Sequence, residues 1–96
     1  MTATEEELRR GMEPVPFKRA DKSEIGAHFA KGWPDHIRAK IEASVGAQID
    51  KLMADAHKGD ELWICRSRYV GPFAGHEGFG LVRKGEVVRY ERVRNY

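Results

Sequence analysis

The sequence predicts an α+β domain: two helices, one short and one long, followed by a three-stranded antiparallel β-meander. Three observations predict it. Apolar residues recur every three to four positions as far as Gly59, alternation replaces that spacing after Asp60, and Lys84-Gly85 separates two strand-like runs as a hairpin turn would. A chain of 96 residues holds one core. Residues 1–20 therefore read as an N-terminal arm or strap, and 21–96 as a single domain.

Thr4 and Glu7 form a capping-box pattern and Gly11 closes the short helix it would start. Pro14 and Pro16 then bar a helix and favour an extended strap, with Val15 and Phe17 placed to pin it onto the core. Asp21 and Glu24 form a second capping box, Ile25 and Phe29 share one helical face, and Gly32 is the expected C-cap. A short helix follows from about Lys22 to Lys31.

Pro34 suits the first turn of the long helix, and Asp35 complements its dipole. Ile37, Ile41, Val45, Ile49, Leu52 and Ala56 make its apolar stripe, and Gly59 ends it. Gly46 costs roughly 1 kcal/mol relative to Ala inside a helix, so it marks a bend or a close contact. Leu62–Tyr69 reads as the first strand. Phe79–Arg83 and Glu86–Arg94 read as a hairpin that pairs Leu81 with Val88 and Phe79 with Tyr90 on the face packed against the long helix. Val82 and Val87 pair on the other face.

The net charge of +2 is too small to argue for nucleic acid by itself. Cys65 is the single cysteine, which excludes an internal disulfide and a thiolate metal site built by one chain. The first ten residues lack the apolar centre of a signal peptide, and no apolar run approaches a membrane span, so a cytoplasmic protein is expected. His28, His36, His57 and His76 are scattered without ligand spacing, so neither metal nor cofactor is expected.

Cys65 and His76 could form a nucleophile–base pair oriented by Glu77, but nothing specifies the electropositive pocket that activates a thiol. A buried structural cysteine is the preferred reading, and no enzymatic activity is expected. The glycines at 71, 75, 78 and 80 resemble a phosphate-binding loop, yet a strand follows them where such a loop needs a helix N-terminus. That loop is read as a connection able to present Phe73 and His76. Six arginines, at 66, 68, 83, 89, 92 and 94, interleave with Tyr69, Tyr90 and Tyr96. They fit a charge-guarded sheet surface or a phosphate-and-stacking surface for nucleic acid. Trp33 and Trp63 are core or hinge aromatics that can also anchor a partner.

The segments GDELW, from Gly59 to Trp63, and GHEGFGLVRKGEVV, from Gly75 to Val88, resemble a pattern in small bacterial and phage-related proteins without assigned function. The resemblance covers about the C-terminal third of the chain. It implies a strand opened by GDELW and a hairpin around the Leu-Val-Arg stretch, with a lean toward an accessory or mobile-element protein. It implies no activity.

The sequence thus leads to a small non-enzymatic protein-binding module, a regulator or an inhibitor or immunity-type partner, with nucleic-acid binding as the alternative. Trp33, Arg66, Arg68, Tyr69, Phe73, His76, Arg89 and Arg92 are the candidate binding residues. Homodimerisation through a strand edge or the long helix is compatible with either reading.

Overall fold

The extended Pro-Val-Pro-Phe stretch is a strand, and this changes the architecture. In the computed structural model, which describes residues 11–69 and 75–96, the order is β1 (Pro14–Arg19), α1 (Lys22–Ala30), α2 (Asp35–Ala54), β2 (Glu61–Ser67), β3 (His76–Arg83) and β4 (Glu86–Asn95). The α+β class holds, but the sheet has four strands in the order β1-β2-β3-β4, and the helices come after the first of them. The helix expected from Thr4 and the loop tip with Phe73 lie outside the described residues.

The reason the strap joins the sheet is that proline's preferred extended backbone is also a strand backbone. The Arg68 amide donates to the Glu13 carbonyl at 3.2 Å, which sets the alternation. Residues 13 and 15 turn their polar backbone toward β2, while Pro14 and Pro16 turn outward, where a missing N–H costs no ladder bond. A register shift between Pro16 and Lys18 leaves Phe17 as an extra residue. Phe17 is consequently not pinned to the core; it stands 44% exposed.

Helix α1 begins as its capping box requires. The Glu24 amide donates to Asp21 Oδ1 at 2.8 Å, and the Asp21 amide donates to Glu24 Oε1 at 3.2 Å. Gly32, at φ 88°, takes the left-handed conformation that turns the chain toward α2. Pro34 occupies the N-cap of α2 and not its first turn, and α2 ends at Ala54, short of Gly59. Gly46 is a close contact: a Cβ there would sit 3.1 Å from Lys22 Cε, and Lys22 Nζ continues to Asp50 at 2.9 Å.

The two helices cover one face of the sheet. Ile25 and Phe29 of α1, Val45, Ile49 and Leu52 of α2, and Ile64, Phe79 and Leu81 of the sheet form the buried nucleus, with Val93 and Ile41 packed at its margin. Phe79 and Leu81 do face the helices, but their partners differ from those expected. The turn at Lys84-Gly85 (φ 52° and 82°) and the Val82–Val87 pair are as the sequence reads. A register shift then sets Leu81 opposite Arg89, Gly80 opposite Tyr90 and Phe79 opposite Glu91. Val88 becomes the extra residue and is 41% exposed, while Tyr90 moves to the opposite face.

On that opposite face the sheet curls, and β1 approaches β4. Gly78 and Gly80 permit the curl: a Cβ on either would overlap the carbonyl oxygen of Glu91 or Arg89 on β4. No described helix is long and apolar enough to cross a membrane.

Candidate functional site

Two adjacent residues at the start of β3 point to opposite faces and organise one end of the molecule. Glu77 faces the helices. Its side chain is 3% exposed, yet it receives His28 Nε2 at 2.8 Å, Arg94 Nη2 at 2.7 Å and the Tyr96 hydroxyl. Burial pushes its carboxyl up, and the hydrogen bonds from Tyr96, His28 and Arg94 more than reverse this, leaving it below the usual carboxylate range. One carboxylate therefore ties α1, β3 and the last residues of β4 together. Tyr96 in turn is held protonated by burial and by the Glu77 charge, so it donates.

His76 faces the curled side. Nε2 lies 2.6 Å from the Met12 carbonyl, which can only accept, so this nitrogen carries the proton. Nδ1 then accepts from the Tyr90 hydroxyl at 2.7 Å. Burial raises the Tyr90 phenol to about 12, consistent with its donor role. The Ser67 hydroxyl receives the His76 amide at 3.1 Å and donates to the Tyr69 carbonyl at 2.6 Å. His76 is thus a buried clasp between the N-terminal segment and the sheet, not a group presented by a loop.

The nucleophile–base pair does not form. Cys65 is fully buried, its thiol is pushed up to about 12 by burial, and Sγ lies 3.7 Å from the Trp63 carbonyl, while both His76 nitrogens are engaged elsewhere. Among the described residues no group of three or more metal-ligating side chains converges.

The end marked by Ser67, His76 and Asn95 is where exposed apolar side chains gather. Three of the seven large hydrophobics exposed among the described residues, Met12, Tyr69 and Tyr96, belong to it by strand pairing. Trp33 is 50% exposed in the turn that follows α1, just past His28. Tyr69 is 61% exposed, yet its ring lies so close to Gly11 that a Cβ there would overlap ring carbon Cδ2, and its amide donates to the Gly11 carbonyl at 3.0 Å. Just below, the Arg66 guanidinium lies over the Phe17 ring, 3.7 Å from its centroid.

The candidate residues divide accordingly. Arg66, Arg68 and Tyr69 belong to this end and the adjoining β1–β2 ribbon, and Trp33 stands in the turn past His28. His76 supports it from within. Arg89 is at the far end of α2, bonded to Asp55 at 2.9 Å, and Arg92, exposed on β4, reaches Asn95 at 3.4 Å. Phe73 is outside the described residues. Sequence reasoning missed Phe17, His28, Glu77 as a hub, and Tyr96. The one signal for Phe17 is its position after two prolines; no local pattern links His28 to Glu77.

The sheet arginines do not form one cationic field. Arg83 grips Asp60 through Nε at 2.7 Å and Nη2 at 3.0 Å, and with the His57 amide it lowers the Asp60 carboxyl to about 2. Arg94, Arg89 and Arg19 are likewise paired, with Glu77, Asp55 and Glu61. No family model matches the chain, and neither a curated protein nor a solved structure does.

Proposed function

We propose that this chain is a small protein-binding module, of the regulator, inhibitor or immunity type, and that it docks through the Ser67–His76 end. The observation that carries the reading is the gathering of Met12, Tyr69 and Tyr96 at one end, braced from inside by Glu77 and His76, with the exposed Trp33 in the turn a few residues past His28. Aromatic and arginine side chains on a rigid support are the usual anchors of protein interfaces, because they bring contact area at low entropic cost. Strand addition on β1 is opposed by Pro14 and Pro16, so docking is by side chains.

The test is affinity capture from the native host followed by measured binding of the recovered partner. Trp33→Ala with Tyr69→Ala weakens binding by about a hundredfold if both are anchors, whereas Lys58→Ala, in the turn between α2 and β2, leaves it unchanged. Undiminished binding by the double variant sinks the reading.

A second reading, nucleic-acid binding, is favoured by one observation: Arg66 and Arg68 alternate with exposed aromatics on the ribbon. Its signature is affinity that falls steeply as salt rises.

A further inference from the structure

Resting on the protein-binding reading, we infer that β1, with residues 11–13 before it, is a hinged strap that opens and closes on β2 while the rest of the fold stays intact, and that its closure assembles the docking end. None of the six residues of β1 is buried, and none enters the nucleus formed by the helices and the other strands. Its outer edge is unsealed as well. β1 approaches β4 without a ladder between them, and a cleft separates Pro14, Val15 and Pro16 from Gly85, Glu86 and Val87. A segment with so little buried apolar contact opens at a lower free energy than the global fold.

What holds the strap is concentrated at its two ends. Ala20 is buried in the nucleus, its amide donates to the Leu62 carbonyl at 3.3 Å, and the Asp21 cap of α1 follows at once, so this end is the hinge. At the other end the Arg68 and Tyr69 amides donate to the carbonyls of Glu13 and Gly11 at 3.2 and 3.0 Å. There the buried His76 ring also donates from Nε2 to the Met12 carbonyl at 2.6 Å. Between the ends the ladder is interrupted at Phe17, whose exposed ring is covered by Arg66. Pro14 and Pro16 keep a released strap extended, which lowers the entropy lost when it closes again.

The docking surface depends on this closure. Met12 is on the strap itself, Tyr69 rests against Gly11, and the His76 clasp joins the strap to β3. With the strap open, Met12 leaves, Tyr69 loses its support, and Cys65, directly opposite Pro16, loses its cover. The closed strap and the binding-competent end are therefore one state, and a partner that binds this state holds the strap shut.

The experiment is native-state hydrogen exchange on the full chain, read by NMR. By the alternation of the ladder the Arg66 and Arg68 amides face β1, and those of Trp63 and Cys65 face β3. Corrected for intrinsic rates, the first pair is expected to exchange at least about tenfold faster than the second, with a weaker dependence on urea, because a local opening exposes less surface. Phe17→Ala, at an exposed position, widens that gap. Pro16→Cys places a thiol opposite Cys65 across a non-hydrogen-bonded pair; its oxidation closes the gap and reduction reopens it. The captured partner is expected to bind the oxidised Pro16→Cys chain at least as tightly as the reduced one. It binds His76→Phe, which lacks the clasp, about tenfold more weakly, and oxidised Pro16→Cys in that same chain restores the affinity. Equal exchange of the two amide pairs, or weaker binding of the oxidised than the reduced Pro16→Cys chain, overturns the inference. Should the amide pairs exchange alike while Trp33→Ala with Tyr69→Ala loses affinity, the hinge fails and the docking end stands. Should the pairs differ while that double variant binds undiminished, the docking reading fails and the hinge stands.

Discussion

His28 of α1 and Glu77 of β3, 49 residues apart in the chain, are joined by a 2.8 Å hydrogen bond. Through it the helix layer is tied to the sheet at the end where the exposed aromatics gather. The bond has little meaning without Arg94 of β4 and Tyr96 just after it, which occupy the same carboxylate. A buried carboxylate with several charged or polar donors is tolerated because together they replace the water it lost.

Removing that carboxylate leaves donors without an acceptor. Glu77→Ala is expected to lower stability by about 2–3 kcal/mol, discounted because His28 and Arg94 reach solvent in part. Glu77→Gln keeps the shape and costs less. Urea denaturation measures both, and a loss below about 0.5 kcal/mol for the alanine variant contradicts the hub role.

Acid should loosen the fold at two places, the Glu77 hub at one end of the sheet and the Asp60–Arg83 pair at the other. The folded-state carboxyls of Glu77 and Asp60 lie below their ordinary values, Asp60 at about 2 against 3.8. The unfolded chain therefore binds protons first as pH drops, so the stability these groups contribute is present above about pH 4 to 5 and lost below. The urea midpoint falls as pH is lowered from about 5 toward 2, and Glu77→Gln combined with Asp60→Asn flattens that slope. An equally steep slope in the double variant assigns the acid sensitivity to other groups.

Cys65 is expected to be inert. With the thiol at about 12 and no exposed surface, the native protein reacts with a disulfide reagent at neutral pH only as fast as it opens. Labelling in strong denaturant is immediate. Rapid stoichiometric labelling of the folded chain at Cys65 contradicts the burial.

The glycines separate by what surrounds them. Gly78→Ala pushes a methyl into β4 backbone and is expected to cost about 2–4 kcal/mol, or to prevent folding. Gly46→Ala meets only the flexible end of Lys22 at 3.1 Å and gains helix propensity, so it is expected to raise stability by about 0.5 kcal/mol. Thermal melts of the two variants moving in the same direction argue against the packing described.

How much was legible in advance follows from the range of each interaction. Asp21 and Glu24, the apolar stripe of α2, the Lys84-Gly85 turn and the Val82–Val87 pair depend on residues within a few positions, and local sequence by itself determined them. The α+β class followed from the change of spacing near Gly59. The tertiary structure decided what depends on distant backbone. It recruited the proline strap as a fourth strand, because an edge position excuses missing amides. It displaced Val88 and exchanged the partners of Phe79 and Leu81, because β4 closes over Gly78 and Gly80. It also brought His28, Arg94 and Tyr96 onto the Glu77 carboxylate, a meeting that no spacing along the chain encodes.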